Sequence, residues 1–462
     1  MIDNIFPLKL HLTILQLEEY KSWRFISWII KNPSMRFVET KKPLKITQKI
    51  KMIIVAGFIW LVLFSFISYL LFSNFFVSLI ISLLLATQPW IFIILGLFTI
   101  LPYEYFNKIK TVKETNSKIN SIKNLKVIGI SGSYGKTSTK ELLYQLIKDE
   151  FKTLRTPDSY NTIFGIAKVV KYELDKTYQV FICELGEYKI GEVKYLSNMV
   201  NPKYGLITGI TKQHFERFKS IDSITKTVFE LADFIADKTK IALNISSREI
   251  KNESKNYPDS IKYGNDNSNV YINNVNFGKE STNLNLIINK KLYKVKTNLF
   301  GFSAINNLCG AIAGALILEI DVKKIIDKIP NLKPFDHRYE RAQQGKTTIV
   351  DNTYSSNIVG FNETIKTAST IKGTKVLITP GIVELGSAEF DAHQEIGKNL
   401  NGAFDKIILV GENNRTRALK STITDKNVLI INDTRKEYQE ILNNLIGKYD
   451  WIFLENDVTQ NY

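Results

Sequence analysis

The chain has 462 residues, enough for two or three domains, and its 44% hydrophobic and 23% charged residues exclude a disordered or fibrous protein. The formal net charge is +16, but the basic residues are spread along the chain and we recognise no nucleic-acid-binding module. We therefore expect no nucleic-acid partner, and we attribute the charge to attraction towards an anionic membrane surface or phosphorylated substrates.

The N-terminal part of the chain is predicted to be membrane-associated. Residues 1–50 are expected to be cytoplasmic or interfacial, because tryptophan and basic residues alternate within Ile14–Lys31. This pattern is typical of an interfacial amphipathic helix and is equally compatible with an ordinary packed helix. Residues 51–103 are predicted to form a two-helix transmembrane hairpin. No charged residue occurs from Met52 to Leu101, and one span needs about 20 residues.

The predicted hairpin has a defined turn and orientation. Its spans are expected at Met52–Phe72 and Phe76–Leu101, with the turn at Ser73–Asn74 and a kink at Gln88–Pro89. Lysines flank both ends, so both ends should face the cytoplasm, which predicts a multi-pass protein of the cytoplasmic membrane with membrane lipid as a partner. These lysines are Lys42, Lys45, Lys49, Lys51, Lys108, Lys110 and Lys113.

Two α/β domains are predicted after a linker at residues 104–125. Short apolar runs alternate with helical stretches, a pattern typical of doubly wound parallel sheets. The central domain covers residues 126–329 and the second, Rossmann-like domain covers residues 330–462. Strands of the central domain are predicted at Lys126–Ser131, Val180–Leu185, Leu206–Gly209 and Ile241–Ile245. Helices are predicted from Thr137, at Asp222–Ala236 and at Asn306–Leu318. A hairpin insertion is predicted at Asn269–Leu299. C-terminal strands are predicted at Thr347–Asp351, Lys375–Thr379, Lys406–Val410, Asn427–Ile431 and Trp451–Leu454.

A phosphate-binding loop joins the first predicted strand of the central domain to its first helix. The loop glycines let the backbone wrap round phosphate oxygens, and the helix N-terminus adds amide donors and a positive dipole end. Lys136 is placed to reach the β- and γ-phosphates, and the Thr137 hydroxyl to bind Mg²⁺. The fold class is therefore α/β, with a P-loop doubly wound central ATPase domain. Its predicted ATP-binding residues are Gly132, Ser133, Gly135, Lys136, Thr137 and Ser138.

Further polar motifs follow along the chain in a fixed order. None is specific alone, because a single glutamate, histidine or His-Arg pair is more often structural. They are Ser159-Tyr-Asn161-Thr162, Glu184-Leu-Gly186-Glu187, His214-Phe-Glu216, Asn307, His337-Arg338-Tyr-Glu340, Asp351-Asn-Thr-Tyr354-Ser-Ser-Asn357 and Glu384-Leu-Gly386 followed by His393.

Together these motifs resemble the Mur ligase family from about Lys126 to the C-terminus. Ile130 occupies the first glycine position of the general phosphate loop, as in the family's shorter form. The resemblance implies an ATP-dependent ligase that joins a carboxylate to an amine through an acyl phosphate. It implies a cell-wall precursor peptide and an amino acid or dipeptide, such as D-alanyl-D-alanine, as substrates, with ATP and Mg²⁺ as cofactors.

The resemblance also implies roles for individual residues. The implied catalytic residues are Lys136, Glu184, His214 and Arg338, and the implied metal ligands are Thr137, Glu184 and His214. Nucleotide binding is implied for Asn307, Arg338 and Asp351, and substrate binding for Asn161, Thr162, Tyr354 and Asn357.

The chain departs from the family pattern at several positions. Val228 aligns with a lysine that is often carbamylated and helps to hold a second Mg²⁺, and Lys226 lies nearby on another helix face. Asn352 replaces a usual acid, and Leu454-Glu455-Asn456-Asp457 replaces a usual lysine-glycine-serine segment. The part before Lys126 does not fit the usual uridine-binding domain.

Two alternatives to a cell-wall peptide ligase follow from these departures. A Mur-type ligase with a different, lipid-linked acceptor is suggested by the hairpin and by the missing uridine-binding domain. An inactive nucleotide-binding membrane scaffold is suggested by Val228 and Asn352, whereas the retained Lys136, Glu184 and Arg338 argue against it.

Overall fold

The computed structural model describes residues 7–32, 44–211, 218, 220–354, 356–383, 385, 388–424, 427–431 and 435–456. The chain divides into two compact units, one extending to Lys110 and one running from Thr111 to Thr459. The predictions for His214, Glu216, Glu384 and Gly386 lie outside the described residues.

The first unit is helical. Apolar side chains from four of its helices, including Leu15, Phe25, Ile53 and Leu97, are packed in one buried cluster. A Cβ atom on Gly96 would lie 2.5 Å from the carbonyl oxygen of Ile53, so glycine is required for this close helix crossing. The helices are α1 (Leu8–Leu17), α2 (Ser22–Lys31), α3 (Gln48–Phe72), α4 (Phe75–Ala86) and α5 (Pro89–Asn120).

The predicted hairpin is confirmed at its turn but wrong in its second arm. Ser73 adopts a left-handed conformation after α3, and the Asn74 side chain caps α4. The second predicted span is divided, because α4 ends at Ala86 and α5 begins at Pro89. Proline lacks an N–H group and is favoured in the first turn of a new helix, which explains a break rather than a kink. The predicted linker, residues 104–125, is helical as far as Asn120.

Two helices of the described chain, α3 and α5, are long and apolar enough to cross a membrane. This criterion concerns length and composition only. Many large apolar side chains of α3 and α4 are exposed, including Phe58, Leu71, Phe76 and Leu84. Large exposed apolar side chains are therefore concentrated on these two helices.

A nine-stranded sheet forms the first part of the second unit. The strand order is β2-β3-β1-β4-β5-β6-β7-β8-β9, parallel from β2 to β7 and antiparallel from β7 to β9. These strands are β1 (Lys126–Ser131), β2 (Thr153–Arg155), β3 (Val180–Glu184), β4 (Tyr204–Ile207), β5 (Ile241–Asn244), β6 (Ile261–Tyr263), β7 (Val270–Phe277), β8 (Thr282–Ile288) and β9 (Lys291–Thr297).

Helices cover both faces of this sheet, because side chains of a strand alternate between its faces. Ile128 and Ile130 pack on the layer containing α6 and α11, whereas Val127 packs on the layer containing α7, α8 and α9. The central-domain helices are α6 (Lys136–Ile147), α7 (Ile163–Tyr172), α8 (Glu192–Val200), α9 (Ile221–Phe234), α10 (Arg248–Glu253), α11 (Phe302–Ile317) and α12 (Val322–Lys328), with short 3₁₀ turns at Lys238–Lys240, Ser254–Asn256 and Ile329–Asn331. The predicted doubly wound arrangement is therefore present.

The predicted hairpin insertion is a continuation of the main sheet. Strands β7, β8 and β9 pair antiparallel in sequence, and β7 also pairs with β6 at Val270–Tyr263. Strands β2 and β6 were not predicted, because runs of three residues are too short to show a period.

The C-terminal sheet has six strands in the order β10-β11-β15-β12-β13-β14. The five predicted strands are present and parallel, and β10 is an unpredicted antiparallel edge strand. Its elements are β10 (Glu340–Gln344), β11 (Thr347–Asn352), α13 (Ile358–Thr370), β12 (Lys375–Thr379), α14 (Glu389–Leu400), β13 (Lys406–Val410), α15 (Asn414–Thr422), β14 (Val428–Ile431), α16 (Arg435–Leu445) and β15 (Trp451–Glu455).

Candidate active site

The phosphate loop lies between β1 and α6, as predicted. The Ser133 N–H donates to the Gly209 carbonyl at 2.6 Å, and the Thr208 hydroxyl donates to the Tyr134 carbonyl at 2.5 Å. Gly135 has φ +81°, and a Cβ atom there would lie 2.7 Å from Asn307 Oδ1. The end of β4 and helix α11 therefore hold the loop in a shape that only glycine permits at residue 135.

The first residues of α6 reach carboxylates at the end of β3. Thr137 Oγ1 donates to Glu184 Oε2 at 2.9 Å, and both residues are buried. Lys136 Nζ donates to Glu187 Oε1 at 2.8 Å and to the Gly132 carbonyl. Because β1 and β3 are adjacent parallel strands, their carboxyl ends place the loop and the two glutamates at one edge of the sheet.

Glu184 is held by four neighbours. Besides Thr137, Asn161 Nδ2 donates to Oε1 at 3.0 Å and Lys140 Nζ lies 3.3 Å from Oε2. Its backbone N–H donates to the Thr156 hydroxyl at 3.2 Å. Lys140 is fully buried, so Glu184 balances a charge that has no access to solvent. The carboxylate is therefore held in one position beside the phosphate loop.

A loop of the C-terminal domain brings Arg338 to the same cleft. Its guanidinium stacks 4.5 Å from the centre of the Tyr354 ring. Burial lowers the pKa of Arg338, and the nearby Glu184 carboxylate opposes this shift. His337 and Tyr339 on either side both have left-handed backbones, with φ +59° and +57°. Such conformations are costly for residues with side chains and cluster at functional sites.

A buried carboxylate, Glu455, supports the C-terminal wall of the cleft. Asn352 Nδ2 donates to both of its oxygens, at 3.0 and 2.9 Å. Ser356 donates at 2.5 Å and Thr364 at 2.7 Å. Burial raises the pKa of Glu455 to about 7. Asn352 and Glu455, two of the positions that depart from the family pattern, thus contact each other across β11 and β15. An acidic side chain is therefore present on the strand that neighbours Asn352.

The structure brings most of the predicted site residues together. One cleft of about 210 Å³ is lined by residues that adjoin both sheets of the second unit. Its lining includes Ser133, Gly135, Lys136, Thr137, Ser138, Asn161, Glu184, Asn307, Arg338, Tyr354 and Asn357. Within the described ranges, Gly132, Thr162 and Asp351 do not line it.

These three exceptions have local structural roles. Gly132 supplies the carbonyl that accepts from Lys136. The Thr162 hydroxyl caps α7 by accepting from the Gly165 N–H at 3.3 Å. Asp351 accepts from the Thr353 N–H at 3.0 Å and lies 2.7 Å from His337 Nδ1, which raises the pKa of His337. The nucleotide contact of Asp351 and the substrate contact of Thr162 that the resemblance implies stay predictions.

Sequence reasoning gave no role to Lys140, Glu187, Tyr188 or Glu455. Glu187 and Tyr188 line the cleft, and Tyr188 donates to Asn161 Oδ1 at 3.0 Å. The position of Lys140 carried a usable signal, because it lies on the same inward helix face as Lys136 and Thr137. The positions of Glu187, Tyr188 and Glu455 depend on the pairing of strands that are distant in the chain. A single sequence does not show this pairing.

The residues present suit a magnesium ion. Thr137 and Glu184 supply hard oxygen ligands 2.9 Å apart, the type that Mg²⁺ prefers, and substrate phosphates usually complete its coordination. In the described part of the chain no group of three or more His, Cys, Asp or Glu side chains is placed to hold a metal alone. Val228 is completely buried among apolar side chains, and Lys226 lines a separate surface groove.

The fold is α/β, and the cleft lies at the carboxyl ends of β1 and β3, where a glycine-containing loop leads into a helix N-terminus. Residues 130–315 match the family model of the Mur ligase middle domain. The chain is 27% identical over 298 residues to the UDP-N-acetylmuramoyl-tripeptide–D-alanyl-D-alanine ligase of Buchnera aphidicola, covering 62% of this chain and 64% of that enzyme. The ligase of the same name from Escherichia coli is 23% identical over 323 residues, covering 66% and 70%. The chain thus spans a little under two thirds of the Buchnera relative.

Solved structures share this fold. MurF from Acinetobacter baumannii superposes with a TM-score of 0.68 at 23% identity, covering 76% of this chain and 77% of that one. MurF from Thermotoga maritima, in complex with ADP, gives a TM-score of 0.69 at 20% identity, covering 76% and 81%. The predicted α/β architecture is confirmed as a Mur ligase fold.

Replacing Gly135 by alanine should weaken ADP binding by at least about tenfold, which corresponds to 1.4 kcal/mol. A side chain at φ +81° costs about 1–2 kcal/mol, and its Cβ displaces Asn307 as well. Titration calorimetry with ADP measures the effect. The matched control is Gly191→Ala, because Gly191 has φ +82° with nothing within 4 Å of the added atom. Equal ADP affinity in both variants would show that the contact with Asn307 does not shape the site.

Proposed function

We propose that this protein is an ATP-dependent ligase that joins a carboxylate to an amine through an acyl phosphate. The observation that carries the proposal is the convergence of Lys136, the Thr137–Glu184 pair and Arg338 on one cleft between two domains. The similarity to UDP-N-acetylmuramoyl-tripeptide–D-alanyl-D-alanine ligases favours a dipeptide such as D-alanyl-D-alanine as the amine and a cell-wall precursor peptide as the acceptor.

Different side chains of the cleft have different roles in phosphoryl transfer. The acceptor carboxylate attacks the γ-phosphate of ATP, and ADP leaves. Lys136 and Arg338 place two positive charges beside the transferred group from opposite domains, which stabilises charge that develops in the transition state. A Mg²⁺ ion held by Thr137 and Glu184 supplies further charge neutralisation when bound. Asn161 and Lys140 keep the Glu184 carboxylate in place. The amine then replaces phosphate on the acyl carbon.

Product identification tests the proposal. The full chain is incubated with ATP, Mg²⁺, D-alanyl-D-alanine and UDP-N-acetylmuramoyl-tripeptide, and products are measured by mass spectrometry together with phosphate release. We expect one amide and one phosphate for each ATP consumed. A lipid-linked peptide is offered in a parallel reaction, and its preferred use would select the alternative acceptor. Nucleotide binding without turnover of either acceptor would favour the scaffold hypothesis.

We also propose that the first unit anchors the protein in the cytoplasmic membrane, with the two α/β domains in the cytoplasm. The support is the length and apolar composition of α3 and α5, the exposed apolar side chains of α3 and α4, and the lysines at both ends. An anchored enzyme meets membrane-confined substrates at a high effective concentration. Membrane lipid is then a partner of the helical unit.

Cysteine labelling in intact cells checks this topology. Ser73→Cys, at the exposed turn after α3, should react with a membrane-impermeant maleimide, whereas the exposed Lys113→Cys should react only after permeabilisation. The native cysteines Cys183 and Cys309 are both buried, so the background should be low. Labelling of Lys113→Cys in intact cells, or recovery of the chain in the soluble fraction, would contradict the anchor.

A further inference from the structure

A second buried carboxyl group, Glu187, lies in the cleft beside the phosphate loop. It follows β3 by three residues and is only 4% exposed. Its Oε1 atom accepts from Lys136 Nζ at 2.8 Å, whereas its Oε2 atom has no hydrogen-bond partner among the described residues. A buried carboxylate oxygen without a donor is unfavourable, so this atom is placed to receive a donor from a ligand.

Nucleotide binding makes the lack of a donor to the Glu187 carboxylate more unfavourable. The Lys136 ammonium has three donors, of which the Gly132 carbonyl and Glu187 use two. When Lys136 turns towards phosphate, Glu187 loses much of its countercharge inside the cleft. The charged and titratable groups around it are then Lys136 on α6, Glu184 on β3, and the adjacent Tyr188. Burial raises the pKa of Glu187 to about 7, and the charge and hydrogen bond of Lys136 oppose the rise.

The proposed reaction requires a group of this kind. An amine donor is largely an ammonium ion at neutral pH and has no free electron pair for attack. A carboxylate near the acyl phosphate both attracts the ammonium and accepts a proton from it. Lys136 and Arg338 are cations, and Glu184 is already shared by Thr137, Asn161 and Lys140. Among the described residues that line the cleft, Glu187 is the remaining acid.

We propose that Glu187 binds the ammonium group of the incoming amine donor and accepts its proton as the amide bond forms. This inference rests on the proposed ligase function. The ammonium gives one proton to the Glu187 carboxylate, and the nitrogen lone pair forms the C–N bond. The C–O bond to phosphate breaks, and the departing phosphate keeps the electron pair. The phosphate takes the second proton from nitrogen, and Glu187 returns the first proton to water.

The two half-reactions separate this role from a structural one. Hydroxylamine is largely unprotonated at neutral pH and traps an acyl phosphate as a hydroxamate without help from a base. Glu187→Gln keeps a carbonyl oxygen that accepts from Lys136, so acyl phosphate formation should continue. We therefore expect hydroxamate formation within about twofold of wild type, while kcat/KM for the amine donor falls by about 100-fold or more.

The pH profile gives a second readout. Amide formation by the wild-type enzyme should rise with pH as Glu187 ionises, at a pKa of about 7 beside Lys136 and at a higher pKa when Lys136 turns towards phosphate. In Glu187→Gln, amide formation should instead follow the ionisation of the donor's own amine. The difference in amide formation between this variant and the wild type should therefore shrink at higher pH. The matched control is Glu173→Gln, an exposed acid next to α7, which should leave both half-reactions unchanged.

Three outcomes would decide the matter. Equal loss of hydroxamate and amide in Glu187→Gln would show that Glu187 only positions Lys136, and the proposal would be wrong. Unchanged amide formation would also overturn it. Absence of hydroxamate with the wild-type enzyme and every acceptor tested would count against the ligase function itself, which distinguishes that failure from a failure of the role of Glu187.

Discussion

Phosphate release should fall by about 10²- to 10³-fold when Lys136 is replaced by alanine, the typical cost of removing one preorganised charge from a transition state. Lys136 lies at the start of α6, bonded to Glu187 and to the Gly132 carbonyl, and it lines the cleft. Its removal takes the hydrogen-bond partner away from the buried Glu187 carboxyl group, so the melting temperature without nucleotide should also fall. Steady-state phosphate release at saturating ATP measures the effect.

The control for this prediction is Lys148→Ala, since Lys148 is exposed at the opposite end of the same helix. This variant loses the same charge at a distance from the cleft. We expect wild-type activity from it. If Lys136→Ala retains most of its phosphate release while Lys148→Ala matches wild type, the loop does not act on the γ-phosphate.

Glu184→Ala should lose both stability and activity. Lys140 is completely buried with its Nζ atom 3.3 Å from Glu184 Oε2, so alanine leaves a charge inside the protein without its main partner. Removing one member of a buried pair costs about 3–5 kcal/mol of unfolding free energy. Activity should also fall by at least about 100-fold, because Thr137 and Asn161 lose their common acceptor.

Denaturant unfolding without nucleotide and phosphate release over a range of Mg²⁺ concentrations separate the two effects. Glu184→Gln preserves the volume and an acceptor for Asn161, so it should be more stable than Glu184→Ala but equally inactive. Glu150→Ala, which removes an exposed ion pair with Lys324, is the control and should be close to wild type in both. A stable, active Glu184→Ala protein would contradict the proposed arrangement. The contact of Glu184 with Lys140 was not predicted from the sequence.

The strands next to the site were predictable from the sequence, because each of them is a continuous apolar run followed by glycine or polar residues. Lys126–Ser131 is an example, with the loop glycines directly after it. The sequence did not predict that the second predicted span is divided at Thr87–Gln88. An apolar run such as Phe76–Leu101 has no period that marks a helix end, and only local hydrogen bonding around Pro89 decides it.

The contacts between distant segments were the least predictable part of the site. Asn352 was interpreted as a lost acid, yet it donates to Glu455, which stands opposite it on a strand 103 residues away. Glu187 belonged to a sequence motif, but no role was predicted for it. Its burial and its pairing with Lys136 follow from the packing of β3 beside β1. Strand order determines such pairs, and one sequence does not reveal strand order.

Isotope transfer from the acceptor tests the central claim most directly. The acceptor peptide is labelled with ¹⁸O in its reacting carboxylate and incubated with the full chain, ATP, Mg²⁺ and D-alanyl-D-alanine, and the released phosphate is examined by mass spectrometry. Attack of the carboxylate on the γ-phosphate transfers one labelled oxygen to each phosphate released. We predict one ¹⁸O atom per phosphate, formed in step with amide. Unlabelled phosphate, or phosphate formed without amide, would contradict a ligase that acts through an acyl phosphate.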